Sequence, residues 1–222
     1  RSRGCRMGRP ALVIFDCDGV LVDSEVIAVR VLVANLARHG LALTEADAHA
    51  MFVGGTMAGN AEVARAAGAD LGPDWVAGIY AEIYAALRDG TPVTKGVPEV
   101  LDLLDAARVP YCVASNGSEE KMQITLGQTG LWHRFQGTVF SAHTLGVAKP
   151  DPRLFLTAAG DVPPETCVVI EDSPTGVRAA IAAGMRCLAY APEGDGVALA
   201  GLGAEVFTSM TDLPEMLHLT RA

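Results

Sequence analysis

Two aspartates, Asp16 and Asp18, stand two residues apart in the stretch ALVIFDCDGVLVDSE, directly behind the apolar run Ala11–Phe15. Two more carboxylates, Glu171 and Asp172, follow the apolar run Cys167–Ile170. The polar group Ser115-Asn116-Gly117 follows Tyr111–Ala114, and Lys149 adds a cation ahead of Pro150. If these groups are gathered, four carboxylates against one lysine leave a surplus of about three negative charges, and a like charge nearby raises a carboxyl pKa. A hard divalent cation removes that conflict. Mg²⁺ takes oxygen ligands and binds through one or two carboxylates, waters and a substrate phosphate. A carboxylate beside such a metal can attack phosphorus, giving aspartyl-phosphate chemistry. Ser115, Asn116 and the backbone N–H groups near Gly117 would then hold phosphoryl oxygens, and Lys149 would neutralise developing charge. The plainer alternative is that Asp18-Gly19 is only a turn, since Asx-Gly pairs favour turns.

These residues can meet only if the elements behind them end on one edge. Short continuous apolar runs bounded by Gly and Asp read as strands buried on both faces of a parallel sheet. Such strands are expected at Ala11–Phe15, Tyr111–Ala114, Thr138–Phe140, Cys167–Ile170, Arg186–Tyr190 and Val206–Phe207. Helices are expected between them: Pro98–Arg108, a helix capped by Ser118 and running to Gln128, Pro152–Ala159 and Pro174–Ala183. Strands alternating with helices imply an α/β fold with a doubly wound parallel sheet, where ligands bind at the carboxyl ends of strands. Adjacent residues on a strand face opposite ways. Glu171 and Asp172 can therefore serve one site only where the strand has given way to loop, as Ser173-Pro174 suggests. Residues 24–91 contain no convincing strand. Helices are expected from Ser24 to about His39, from Thr44 to Phe52, near 57–67 and over 74–88. The domain reading is a catalytic core of residues 1–23 and 92–222 with an all-helical insertion over 24–91. That insertion is expected to move as a lid hinged near Asp23 and Thr91–Lys95.

Length and composition set the outer bounds. The chain has 222 residues, of which 50% are hydrophobic and 19% charged, enough for a sizeable core. A formal net charge of -9 disfavours nucleic acid, which is held through clustered Lys and Arg. The five cysteines form no CxxC pair, and no disulfide framework or zinc site is indicated. That usage fits a reducing cytoplasm. Cys112, Cys167 and Cys187 read as small packed hydrophobes. No stretch approaches the ~20 apolar residues of a membrane helix. Residues 1–9 read as a tail and the protein as a monomer.

With four motifs in order along nearly the whole chain, the sequence resembles the haloacid dehalogenase superfamily of hydrolases. Asp16-Cys17-Asp18-Gly19-Val20 resembles the first motif, Ser115-Asn116 the second, Lys149-Pro150 the third and Glu171-Asp172-Ser173 the fourth. A helical insertion just after the first motif is similar to the cap of the β-phosphoglucomutase-like branch. The runs DCDGVLVDSE, CVASNGSEEKM and KPDPRLF resemble its sugar-phosphate phosphatases. The resemblance implies a Mg²⁺-dependent phosphomonoester hydrolase acting on a small phosphorylated metabolite, most readily a sugar phosphate. It implies Asp16 as nucleophile and Asp18 as general acid and base. As metal ligands it implies Asp16, the Asp18 backbone carbonyl, and Asp172 with Glu171.

Two departures bear on activity. The superfamily's dehalogenases lack the second aspartate, so Asp18 favours phosphate over halide. Its mutases carry a histidine shortly after the first motif and a Lys-Gly-x-Ser-Arg run in the cap. Ala28 and Val53–Met57 occupy the matching positions here, which weakens a phosphosugar-mutase reading. The other rival, a receiver-like phospho-accepting module without turnover, fits poorly with the large helical insertion. Within that insertion Val53, Gly54 and Thr56 lie in a small-residue loop that is either a plain connector or the substrate-reading loop. The five histidines show no metal-ligand spacing. Gly201-Leu202-Gly203 lacks the third glycine of a dinucleotide fingerprint and reads as loop.

Overall fold

Leu12–Phe15 is a strand whose four residues are all buried, which a four-residue apolar run achieves only inside a sheet covered on both faces. The computed structural model describes residues 8–52, 56–194 and 196–219, so most of the residue 1–9 tail lies outside the described part. The chain divides into two compact units. The larger comprises the chain up to Val22 and from Val93 onward, and the smaller comprises Asp23–Pro92.

The larger unit is built on strands β1 (Leu12–Phe15), β2 (Tyr111–Ser115), β3 (Val139–Ser141), β4 (Cys167–Glu171), β5 (Arg186–Tyr190) and β6 (Glu205–Phe207). They form one six-stranded sheet in the order β3-β2-β1-β4-β5-β6. Every pairing is parallel. The protein therefore has the α/β, doubly wound Rossmann-like fold. Phe15 stands opposite Val113 on one side and Ile170 on the other. Strand order reverses between β1 and β4, and the crevice at such a reversal is where this architecture binds ligands.

The period-2 alternation of strands sorts the apolar residues into two cores. Val13, Phe15, Val113, Ile170 and Leu188 join Val100, Leu101 and Leu104 of the helix Val97–Ala107 and Met122 of the helix Glu119–Gln128. Leu12, Ile14, Cys112, Ala114 and Val169 join Phe155 of Arg153–Ala159 and Val177 of Pro174–Ala182. Each fully buried Leu, Ile or Phe contributes about 1.5–3 kcal/mol relative to exposure. Cys17, Cys112, Cys167 and Cys187 are free and buried, as small hydrophobes.

Among the described residues the smaller unit holds the helices Glu25–Arg38, Glu45–Phe52, Met57–Ala66 and Trp75–Asp89. Val29, Leu32 and Leu36 are buried at helical spacing on the first, and Ile79, Ile83 and Leu87 on the last. Trp75 is a packing residue whose indole N–H donates to Asn35 at 2.7 Å. Thr44 and Asp47 bond each other reciprocally in the manner of a capping box. Ser24 holds the expected N-cap position with a difference. Its backbone is already helical (φ -82, ψ -18) and its hydroxyl makes no capping bond, because a side-chain cap needs extended backbone.

The structure adds helices at Trp132–Phe135, Ala142–Leu145 and Gly196–Gly201 that the sequence pattern did not indicate. The last runs into the segment read as loop. No helix among the described residues is long and apolar enough to cross a membrane.

Candidate active site

Asp16 is the first residue past β1. Its N–H donates to the Ile170 carbonyl at 2.9 Å, which pins the end of β1 to β4. The residue is buried, 7% exposed, and its carboxylate forms an ion pair with Lys149 Nζ. The chain then turns sharply at Gly19, whose N–H donates to Val22 O at 2.8 Å. Gly19 has φ +78, a region that favours glycine, and a Cβ there would come closer than 3.0 Å to the Asp172 carboxylate. Both facts require a glycine, and the second sets Asp172 directly against the Asp16–Asp18 turn.

Lys149 is almost wholly buried and lies 4.9 Å above the Phe155 ring. Its ammonium reaches Asp16 on one side and Glu171 Oε1, at 2.6 Å, on the other. Asn116 holds the backbone beneath it. The Lys149 N–H donates to Asn116 Oδ1 at 2.9 Å, and the Asn116 amide nitrogen lies 3.5 Å from the Lys149 carbonyl. At the end of β2, Ser115 Oγ accepts from Gly117 N at 2.9 Å and keeps its own proton to donate. Ser141 Oγ at the end of β3 donates to the Gly117 carbonyl at 2.8 Å. Ser118 caps the next helix by accepting from Lys121 N.

The strand ends thus bring Asp16, Asp18, Ser115, Gly117, Lys149, Glu171 and Asp172 to one edge of the sheet. Two expected contacts are placed differently. Glu171 is fully buried, and its second oxygen accepts from Asp172 N, Ser173 N and Ser173 Oγ, each at 2.9 Å. With Lys149 on the first oxygen, both are engaged inside the protein, which leaves neither turned outward as a metal ligand. Asn116 likewise turns its side-chain carbonyl oxygen to the Lys149 N–H, which leaves its amide N–H groups and its main chain as the donors it could offer a phosphate. Of the loop residues read as possible substrate contacts, Val53 and Gly54 lie outside the described residues. Thr56 is exposed and caps the helix Met57–Ala66 by accepting from Gly59 N at 3.1 Å.

Sequence reading missed Lys121. Its Nζ lies 2.8 Å from Asp18 Oδ1, with both side chains only partly exposed. The available signal was position: three residues past the Ser118 cap, Lys121 sits in the first turn of a helix that starts at this sheet edge.

Burial pushes the Asp16 carboxyl up to about 7, with Lys149 working against it and Glu171 and Asp18 adding to it. Asp172 is driven further, to about 9, by burial and then by the charges of Asp16 and Glu171. Burial would lower Lys149, but Asp16 and Glu171 outweigh it and hold the ammonium well above its ordinary value. Negative charge therefore exceeds what one buried ammonium offsets. Among the described residues no three acidic, histidine or cysteine side chains form a ready-made metal cage. The buried, mutually repelling Asp16 and Asp172 carboxyls are hard oxygen donors, which suit a cation that keeps waters and takes substrate oxygens. The donor chemistry thus fits a divalent cation.

Residues 10–184 match the family described as haloacid dehalogenase-like hydrolase. The chain is 31% identical over 213 residues to the 6-phosphogluconate phosphatase of Escherichia coli, covering 95% of this chain and 96% of that protein. It is 31% identical over 192 residues to a phosphoglycolate phosphatase of Pseudomonas syringae, covering 81% and 69%. A HAD family hydrolase from Deinococcus radiodurans, crystallised with bound phosphate and sodium, superposes with a TM-score of 0.83 at 32% identity, covering 96% of this chain and 97% of that one. With this sheet order, this convergence of strand ends and phosphatases among its relatives, the chain belongs to the haloacid dehalogenase-like hydrolase family.

Proposed function

We propose that the protein is a Mg²⁺-dependent phosphomonoesterase for a small phosphorylated metabolite of the sugar-phosphate class, working through a phosphoryl group carried on Asp16. The observation that carries this reading is the Asp16–Lys149–Glu171 bridge at the β1/β4 reversal, with Asp172 packed against the Asp16–Asp18 turn. The names of the relatives support the substrate class.

In this reading Asp16, Asp172 and the Asp18 carbonyl would hold the metal, which would supply positive charge favouring the ionised carboxylates and the phosphoryl oxygens. Lys149 and the Ser115 hydroxyl orient those oxygens, and Lys149 also fixes the nucleophile. An Asp16 carboxylate oxygen forms a bond to phosphorus as the ester P–O bond breaks. Asp18 gives its proton to the departing alkoxide, which leaves as the alcohol. Asp18, now ionised, takes a proton from water as that water attacks phosphorus. The Asp16–phosphorus bond breaks, and inorganic phosphate and free Asp16 result. The helical insertion follows directly on this turn in the chain, and we assign it to substrate selection.

The test is phosphate release from a panel of sugar phosphates, sugar-acid phosphates and phosphoglycolate, with Mg²⁺ and with chelator. Turnover should require the metal and disappear in Asp16→Asn. Full turnover in chelator, or an active Asp16→Asn, would overturn the assignment.

A further inference from the structure

We infer that Gly176 is a positioning residue for this reaction, its missing side chain forming the seat of the Glu171 carboxylate and, through it, of Lys149. The inference rests on the reading in which Lys149 orients Asp16 and the phosphoryl group.

Gly176 lies in the first turn of the helix Pro174–Ala182. Inside a helix glycine is less favourable than alanine, so its presence there asks for a cause. Backbone conformation is not the cause, since Gly176 is not among the residues with left-handed φ. Space is. A Cβ on Gly176 would come closer than 3.0 Å to Oε1, Cδ and Oε2 of Glu171. By contrast Gly78 and Gly127, also helical, would place a Cβ with nothing within 4 Å.

Glu171 cannot yield at no cost. It is fully buried at the end of β4, Oε1 is held by Lys149, and Oε2 by Asp172 N, Ser173 N and Ser173 Oγ. The Gly176 N–H closes the arrangement by donating to Ser173 Oγ at 3.1 Å. A methyl group at 176 would therefore push the carboxylate off one set of partners. If Oε1 is lost, Lys149 keeps Asp16 as its carboxylate partner and settles onto it. The ammonium then covers the nucleophile where it should present it. Gly176 is placed in contact with Glu171 and not with substrate or reacting atoms, and it acts through Glu171 and Lys149.

The experiment compares Gly176→Ala, Glu171→Ala and the double variant, with Gly127→Ala as control, on 4-nitrophenyl phosphate with Mg²⁺. A second readout needs no turnover: the ¹⁵N–¹H signal of the buried Lys149 ammonium, assigned with Lys149→Met. Gly176→Ala should lower kcat by about 10²-fold, the scale expected when a catalytic group moves by about an ångström. KM should stay within about twofold, since an interaction made mainly in the transition state is lost. The Lys149 signal should move or vanish, while Gly127→Ala leaves kcat and signal intact. On the Glu171→Ala background the alanine should cost nothing further, because the overlapping carboxylate is gone.

An unchanged kcat and signal in Gly176→Ala, or full additivity in the double variant, overturns the inference. If Gly176→Ala alone does not fold, the double variant must; failure of both to fold also overturns it. An inactive wild type with a Lys149 signal sensitive to Gly176→Ala would sink the phosphatase reading while leaving the seat in place.

Discussion

Asp18 and Asp16 leave the same strand end, but their surroundings differ. Asp16 is buried on Lys149, whereas Asp18 is partly exposed and lies against Lys121. That difference suits a fixed nucleophile and a second carboxylate that can exchange protons with an alcohol and with water. Asp18→Asn keeps the shape and removes the proton transfer, a loss of about 10²–10⁴ in the steps that need it. With an activated aryl leaving group the first step needs little protonation, so phospho-Asp16 should accumulate and appear as added phosphate mass after rapid quenching. Wild-type turnover in Asp18→Asn, or an adduct on another residue, would show the roles to be wrong. Lys121→Met keeps the stem and removes the ion pair with Asp18. Hydrogen bonds to charged groups contribute about 1.5–3 kcal/mol, and partial exposure trims this, so decay of the adduct should slow by up to about tenfold. Single-turnover decay at constant enzyme concentration measures it, and an unchanged rate would remove Lys121 from the site. Asp16, Asp18, Ser115 and Asp172 stood out in the sequence because each lies just past or at the end of an apolar run, and Lys149 because it stands directly before Pro150. Lys121 and Gly176 did not, since their importance comes from Asp18 and Glu171, residues distant or turned toward them only by the fold.

At the scale of elements, the ends of a strand do different work. Arg134 sits near the start of β2, remote along the strand from Ser115. Its guanidinium bonds Asp102 at 2.7 Å, Asp105 at 2.5 Å and the Tyr111 hydroxyl at 3.3 Å, joining the helix Val97–Ala107 to β2. Both aspartates are well exposed, so each pair stabilises by a fraction of a kcal/mol. Arg134→Ala should lower stability by about 1 kcal/mol in urea denaturation and leave kcat unchanged. A loss of kcat at full stability would mean that the amino end of β2 reaches the site after all. The strands were readable because runs such as Val168–Ile170 are buried on both faces and show no alternation. The one-turn helices Trp132–Phe135 and Ala142–Leu145 were not readable, since four residues cannot express a period of 3.6. Ser24 does hold the N-cap position that its residue type indicated, but its backbone is already helical and its hydroxyl makes no capping bond.

For the molecule as a whole, the chain carries a net charge of -9, and the candidate site concentrates that excess at the reversal of the sheet. Fully ionised, Asp16, Asp18, Glu171 and Asp172 would outnumber Lys149 and Lys121 by two charges, and burial together with that repulsion holds the Asp172 carboxyl up at about 9. Burial and mutual repulsion of these carboxylates oppose folding unless a cation joins them. Folding and metal binding are then linked, because a ligand that binds only the folded form stabilises it by about 2.7 kcal/mol at one hundred times its Kd. For a chain of this length that corresponds to a rise in Tm of about 5–10 °C on adding Mg²⁺. Asp172→Asn separates the two contributions. It removes a carboxyl that burial and its neighbours disfavour in the ionised form, so Tm without metal should hold or rise, and it removes a proposed ligand, so the shift with Mg²⁺ should vanish. Hydrogen exchange would locate the effect, with added protection in β1 and β4 on metal binding. A Tm that falls in metal-free Asp172→Asn, with the Mg²⁺ shift intact, would mean that Asp172 is held by bonds within the protein and that the cation is bound elsewhere.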